Sequence, residues 1–72
     1  MPDELMAELE KFAREVALRA AYLRGNASLA TPRGRAVLAN LLTEGVRGFL
    51  KRGVPAETVR MALERAEKEV TD

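Results

Sequence analysis

The sequence predicts an all-α fold, a small three-helix domain that associates into a helical dimer or higher oligomer. Three observations carry that prediction. Ala and Leu dominate the apolar residues while β-branched and aromatic residues are scarce, a bias that favours helices over sheets. Apolar residues recur at spacings of three and four in three stretches separated by glycine and proline punctuation. Finally, a chain of 72 residues has a small core, and with no cysteine or histidine it has neither a disulfide nor an ordinary zinc site to reinforce it. Close helix packing and self-association are the remaining sources of stability, so a homo-oligomer is expected.

The first helix is expected over residues 3–24. Pro2 opens it, and Asp3 and Glu4 sit where the helix dipole favours negative charge. Leu5, Leu9, Phe12, Val16, Ala20 and Leu23 form its apolar stripe, which Met6, Ala13 and Ala17 widen. Glu10 with Arg14 and Glu15 with Arg19 have the i,i+4 spacing and orientation of supporting ion pairs. Gly25 follows Arg24 as the expected C′ residue.

Residues 26–30 make a short connection of the kind that leaves consecutive helices antiparallel, with Leu29 placed to staple the start of the next helix. That second helix, expected over 32–52, opens at Thr31-Pro32 and stops at Gly53. Its apolar and small residues span about 200° of the helical wheel, an arc that demands cover from two directions. Residues 31–53 therefore read as the packing hub of the chain. Gly45 and Gly48 each sacrifice about 1 kcal/mol of helix propensity relative to Ala, which points to close approach by a neighbour. The surface expected to meet a second copy or another protein comprises Val37, Leu41, Gly45, Val46, Gly48, Phe49 and Leu50.

Gly53-Val54-Pro55 ends one helix and starts the next, expected over 55–70. Val59, Ala62, Leu63, Ala66 and Val70 make a narrow stripe on an otherwise charged surface helix, supported by Glu64 with Lys68. The whole chain, 1–72, reads as one helical domain without repeats.

The chemistry is defined largely by what the chain lacks. Without His or Cys, the commonest general base and the strongest neutral-pH nucleophile are missing. The carboxylates lie among Lys and Arg on polar helix faces, and the glycines match no phosphate-binding loop. The expectation is a protein that is not an enzyme, with no catalytic residues, no cofactor and no metal. No apolar run approaches a membrane span and the acidic start is unlike a signal peptide, so no membrane partner and a cytoplasmic location are expected.

Charge placement is the remaining signal. Residues 25–60 carry six Arg and Lys against Glu44 and Glu57, net +4, while the flanking segments carry −1 and −2. Arg33 and Arg35 stand in the first turn of the second helix, where the dipole disfavours cations. With Arg47, Lys51 and Arg52 they are candidate contacts for an anion or a nucleic acid, or partners for the acidic flanking helices.

Gly53-Val54-Pro55-Ala56-Glu57-Thr58-Val59 and the residues on to Leu63 resemble the turn and recognition helix of lactose-repressor-type helix-turn-helix regulators. That resemblance implies a helix-turn-helix-like nucleic-acid-binding regulator, and the charge placement adds the basic central helix as its source of cations. Two departures stand out: Phe49 where the family prefers Ala, and Glu57, Glu64 and Glu67 on the helix that would face phosphates. The main functional expectation is a small helical protein-interaction or oligomerisation module, an adaptor or regulator, with nucleic-acid binding as the alternative.

Overall fold

The computed structural model describes residues 2–71. It contains three helices, α1 (Asp3–Gly25), α2 (Pro32–Lys51) and α3 (Ala56–Thr71), with a single 3₁₀ turn at Ala27–Leu29 between the first two. No strand occurs among the described residues. The helix limits fall within one residue of those the sequence predicts.

Each boundary has a local cause. The Thr31 hydroxyl accepts a hydrogen bond from the Gly34 backbone N–H at 3.1 Å and so caps α2. Pro32 follows at the first helical position, where its missing N–H removes a donor that would have no partner. At the other end the Gly53 N–H donates to Leu50 O at 3.1 Å and the Val54 N–H to Phe49 O at 3.0 Å. Those two bonds define a Schellman motif, and Gly53 supplies the positive φ of 92° that it requires. Val54 and Phe49 are both buried, which provides the accompanying apolar contact.

Gly25 behaves differently from the expected C′ residue. It is the final residue of α1, and Gly53 is the one described residue with positive φ. Asn26 stops the helix instead: its side-chain amide donates to Tyr22 O at 2.8 Å, and its backbone N–H reaches Leu23 O at 3.3 Å. A side-chain donor satisfies the carbonyl that a left-handed glycine would otherwise free the backbone to reach.

The arrangement is up-down-up. Glu8 faces Arg52, Phe12 meets Phe49 and Gly45, and Leu23 lies beside Gly34, so α2 runs antiparallel to α1. Met6 shares a recess with Thr58 and Met61, Glu10 shares one with Ala62 and Arg65, and Arg14 reaches Glu69. α3 therefore lies alongside α1 in the same direction.

The hub expected at residues 31–53 is not where the core sits. α1 contributes Leu5, Leu9, Ala13, Val16 and Ala17 to the buried set and α3 contributes Val59, Ala62 and Ala66, whereas α2 contributes only Phe49. Leu9, at 0% exposure, is the largest fully buried side chain. The physical reason is the size of the side chains. Ala13 and Ala17 on α1 and Ala62 and Ala66 on α3 repeat at i,i+4, and small residues on both surfaces let two helices approach to the short end of the usual 8–10 Å range. α3 is thus the main packing partner of α1 rather than a helix resting one edge on the core.

The ion pairs also differ from the expected ones. Arg14 reaches across to Glu69 at 3.9 Å, and Arg60 bonds both Glu57 and Glu64 on its own helix. Glu10–Arg14, Glu15–Arg19 and Glu64–Lys68 are not formed among the described residues. Competing partners nearby explain two of these three, since Glu69 takes Arg14 and Arg60 takes Glu64.

Candidate interaction surface

The residues expected to form an interface have different environments. Phe49 is buried in the core, with its ring centroid 5.5 Å from that of Phe12 at an interplanar angle of 47°. Gly45 lies directly under the Phe12 ring, and a Cβ there would fall within the space of the ring carbons. Both positions are occupied from within the chain. The close approach read from Gly45 is therefore made by α1. Gly48 has open space where its side chain would be, so no neighbour in this chain accounts for that glycine. Leu41 and Val46 are half-buried, while Val37 and Leu50 are exposed at 57% and 43%.

Four large apolar side chains cluster at one place on the surface. Leu18 and Tyr22 from α1, Leu29 from the 3₁₀ turn and Val37 from α2 are all exposed, and all line one open groove of about 590 Å³. Leu23, Gly34, Leu38 and Arg19 complete its lining, and none of these residues comes from α3. Gly34 is held close there: a Cβ on it would strike the Leu29 carbonyl oxygen and come within 3.7 Å of a Leu23 methyl. The connection between α1 and α2 is thus pinned to the start of α2, which keeps Leu29 at the edge of the groove rather than stapled beneath the helix.

Val37 belongs to the interface expected from the sequence, and Leu18 is the neighbouring α1 residue expected to remain uncovered beside it; Tyr22 and Leu29 lie outside that expectation. Leu18 and Tyr22 are one helical turn apart and lie off the main stripe of α1, a spacing that signals a second apolar face. Leu29 carries no periodic signal, because it sits in the connection.

Among the five candidate cations, Arg52 is engaged. It reaches Glu8 at 2.5 Å, and its guanidinium lies 5.7 Å from the centre of the Phe49 ring. Arg33, Arg35, Arg47 and Lys51 join no ion pair among the described residues. Among the described residues, the pairing with acidic flanking helices is therefore formed at one position of the five. On α3, hydrogen bonds from Arg60 hold the Glu57 carboxyl below its ordinary value and, in return, raise the affinity of Arg60 for its own proton.

Among the described residues no group of three carboxylates is placed to hold a metal ion, and no helix is long and apolar enough to cross a membrane. No protein-family model matches this chain, and neither a curated protein nor a solved structure matches it.

Proposed function

We propose that this chain is a small non-enzymatic helical interaction module, an adaptor or regulator that works by taking an apolar helix surface into the groove between α1 and α2. The observation that supports this reading is the clustering of Leu18, Tyr22, Leu29 and Val37, all exposed, around one recess. Scattered apolar residues are normal on a protein surface, but a contiguous group framing a groove marks a place where another surface is buried. Burial gains roughly 25 cal/mol per Å² of apolar area, so even part of this groove repays cover. Groove binding by an amphipathic helix uses apolar anchors one turn apart, which matches a recess walled by two antiparallel helices.

Two occupants suit the reading: a second copy, which the small core favours, or a different protein. Methyl-resolved NMR tests the common element. A neutral amphipathic helical peptide, with Leu on one face and Gln on the other, is expected to shift the methyls of Leu18, Leu23, Leu29, Val37 and Leu38. Absence of any such shift, together with a monomeric mass by light scattering at micromolar concentration, would sink the reading.

A second reading, a small helix-turn-helix-like nucleic-acid-binding regulator, draws on Arg33, Arg35, Arg47 and Lys51, which join no ion pair among the described residues. It predicts duplex binding that weakens steeply with salt as counterions are released. A gel shift at low salt with no retarded species would remove it. The outward cluster of Glu57, Arg60 and Glu64 on α3 gives it less support, because the cation there is already neutralised.

A further inference from the structure

We infer that the occupant of the α1–α2 groove is an amphipathic helix of a different protein, apolar on its inner face and acidic along its flanks. This rests on the interaction-module reading and goes on to name the partner's chemistry.

The charge pattern around the groove carries the inference. From Val16 to Thr43 the chain contains no Asp or Glu at all, and its only charged residues are Arg19, Arg24, Arg33 and Arg35. That segment supplies every residue lining the groove, with Arg19 itself in the wall. Arg33 and Arg35 flank Gly34 in the first turn of α2, where the dipole already adds positive potential. Arg24 faces away, into a recess it shares with Glu67, so the positive rim is Arg19 with Arg33 and Arg35. An apolar recess rimmed by three arginines steers and orients a negatively flanked partner and disfavours a positively flanked one.

The same pattern disfavours a second copy. Besides the four groove residues, the large exposed apolar side chains among the described residues are Leu50 and Met61, which come from different helices. A copy offering a matching apolar face must therefore offer its own groove. A two-fold contact of that kind sets the arginine rim of one groove against the arginine rim of the other, with no carboxylate in the lining of either. The acidic half of α1 does not supply an alternative insert, because Leu5 and Leu9 of that half are buried in the core. Nucleic acid would use the arginines but leave the apolar walls without a counterpart, since phosphate recognition gains nothing from Leu29 or Val37.

The test uses the whole chain and three synthetic helical peptides of roughly 15 residues, long enough to be helical when held. All share one Leu face and differ only in carrying Glu, Gln or Lys on the flanks. The Glu peptide is expected to bind at least about tenfold tighter than the Lys peptide at low salt, with the gap closing as salt screens the field. Val37→Gln, at an exposed position that leaves the helical signal intact, is expected to abolish binding of all three. Replacing Arg19 and Arg35 with Gln is expected to narrow the gap between peptides while keeping the Gln peptide bound. Equal affinity for Glu and Lys peptides overturns the inference and leaves the module reading standing. So does a dimer by light scattering that Val37→Gln converts to monomer, or displacement of the Glu peptide by a short DNA duplex. Failure of all three peptides to bind a monomeric chain overturns both.

Discussion

The ring of Phe12 fills the space into which any side chain on Gly45 would project. Glycine is required there by packing, not by backbone conformation, since its φ is helical. Replacing it with Ala gains about 1 kcal/mol of helix propensity but displaces a ring that also packs on Phe49, and overpacking of this kind typically costs about 1–3 kcal/mol. Gly45→Ala is expected to lower the thermal midpoint. Gly48→Ala, with open space where the new methyl would sit, is expected to raise the midpoint through a gain of roughly 0.5–1 kcal/mol in stability. Opposite signs from two identical substitutions three residues apart are the expected outcome in urea melts, and equal signs would show that Phe12 does not hold this position.

Leu9 is the side chain on which the small core most depends. It is fully buried at 0% exposure, and truncation of such a residue typically costs about 2–5 kcal/mol. A single core in a chain of this size supplies roughly 3–5 kcal/mol. Leu9→Ala is therefore expected to leave the chain largely unfolded at room temperature, read as loss of helical circular dichroism. Retention of a cooperative melt near the parent midpoint would place the core elsewhere.

Gly53 is a conformational requirement. With φ at 92°, an Ala there pays the left-handed penalty of about 1–2 kcal/mol while losing neither Schellman hydrogen bond. Gly53→Ala is expected to lower stability by about that amount in denaturant titration, and Gly25→Ala, in helical conformation with open space around it, to raise it slightly. A smaller loss at Gly53 than at Gly25 would contradict the turn geometry.

The Arg60 cluster gives a pH signature with a definite sign. Hydrogen bonding to Arg60 depresses the Glu57 carboxyl from its ordinary value of 4.5. A group whose folded-state pKa is depressed contributes stability that is present above its unfolded value and disappears as the pH falls through the folded value. Arg60→Gln is expected to show a small and constant deficit in thermal midpoint between pH 5.5 and 7, which shrinks as the pH falls below 4.5. The fully solvated setting keeps the effect small. A deficit that grows on acidification would reverse the assignment.

Much of the fold can be read directly along the chain, because helix ends are written in local chemistry. Thr31-Pro32 and Gly53-Val54-Pro55 each encode a boundary in two or three adjacent residues, and both act as their residue types require. The choice of packing partner is written differently. Hydropathy weights Leu, Val and Phe heavily, so α2 looks like the centre; yet Ala13, Ala17, Ala62 and Ala66 bring α1 and α3 together by being small. A count of apolar residues measures how much surface wants cover, not how closely two axes can approach. The full groove is not legible in the sequence for a related reason. Leu18, Tyr22, Leu29 and Val37 come from three elements, and only the antiparallel pairing of α1 with α2 assembles them. The absence of carboxylates from Val16 to Thr43, by contrast, is visible in the sequence, though its importance appears only once that segment is known to wrap one recess.

The parallel pairing of α1 with α3 also bears on how the chain comes into being. The face of α1 that carries Leu9 and Ala13 has no matching surface until Val59, Ala62 and Ala66 have been added, some fifty positions later by the pairing of Glu10 with Ala62. Until that distant surface is in place the face meets water, and chains with exposed apolar helices are prone to stray association. In the folded chain α2 meets α1 at Phe12, with Phe49 and Gly45 against the ring, and leaves the Leu9 and Ala13 face to α3.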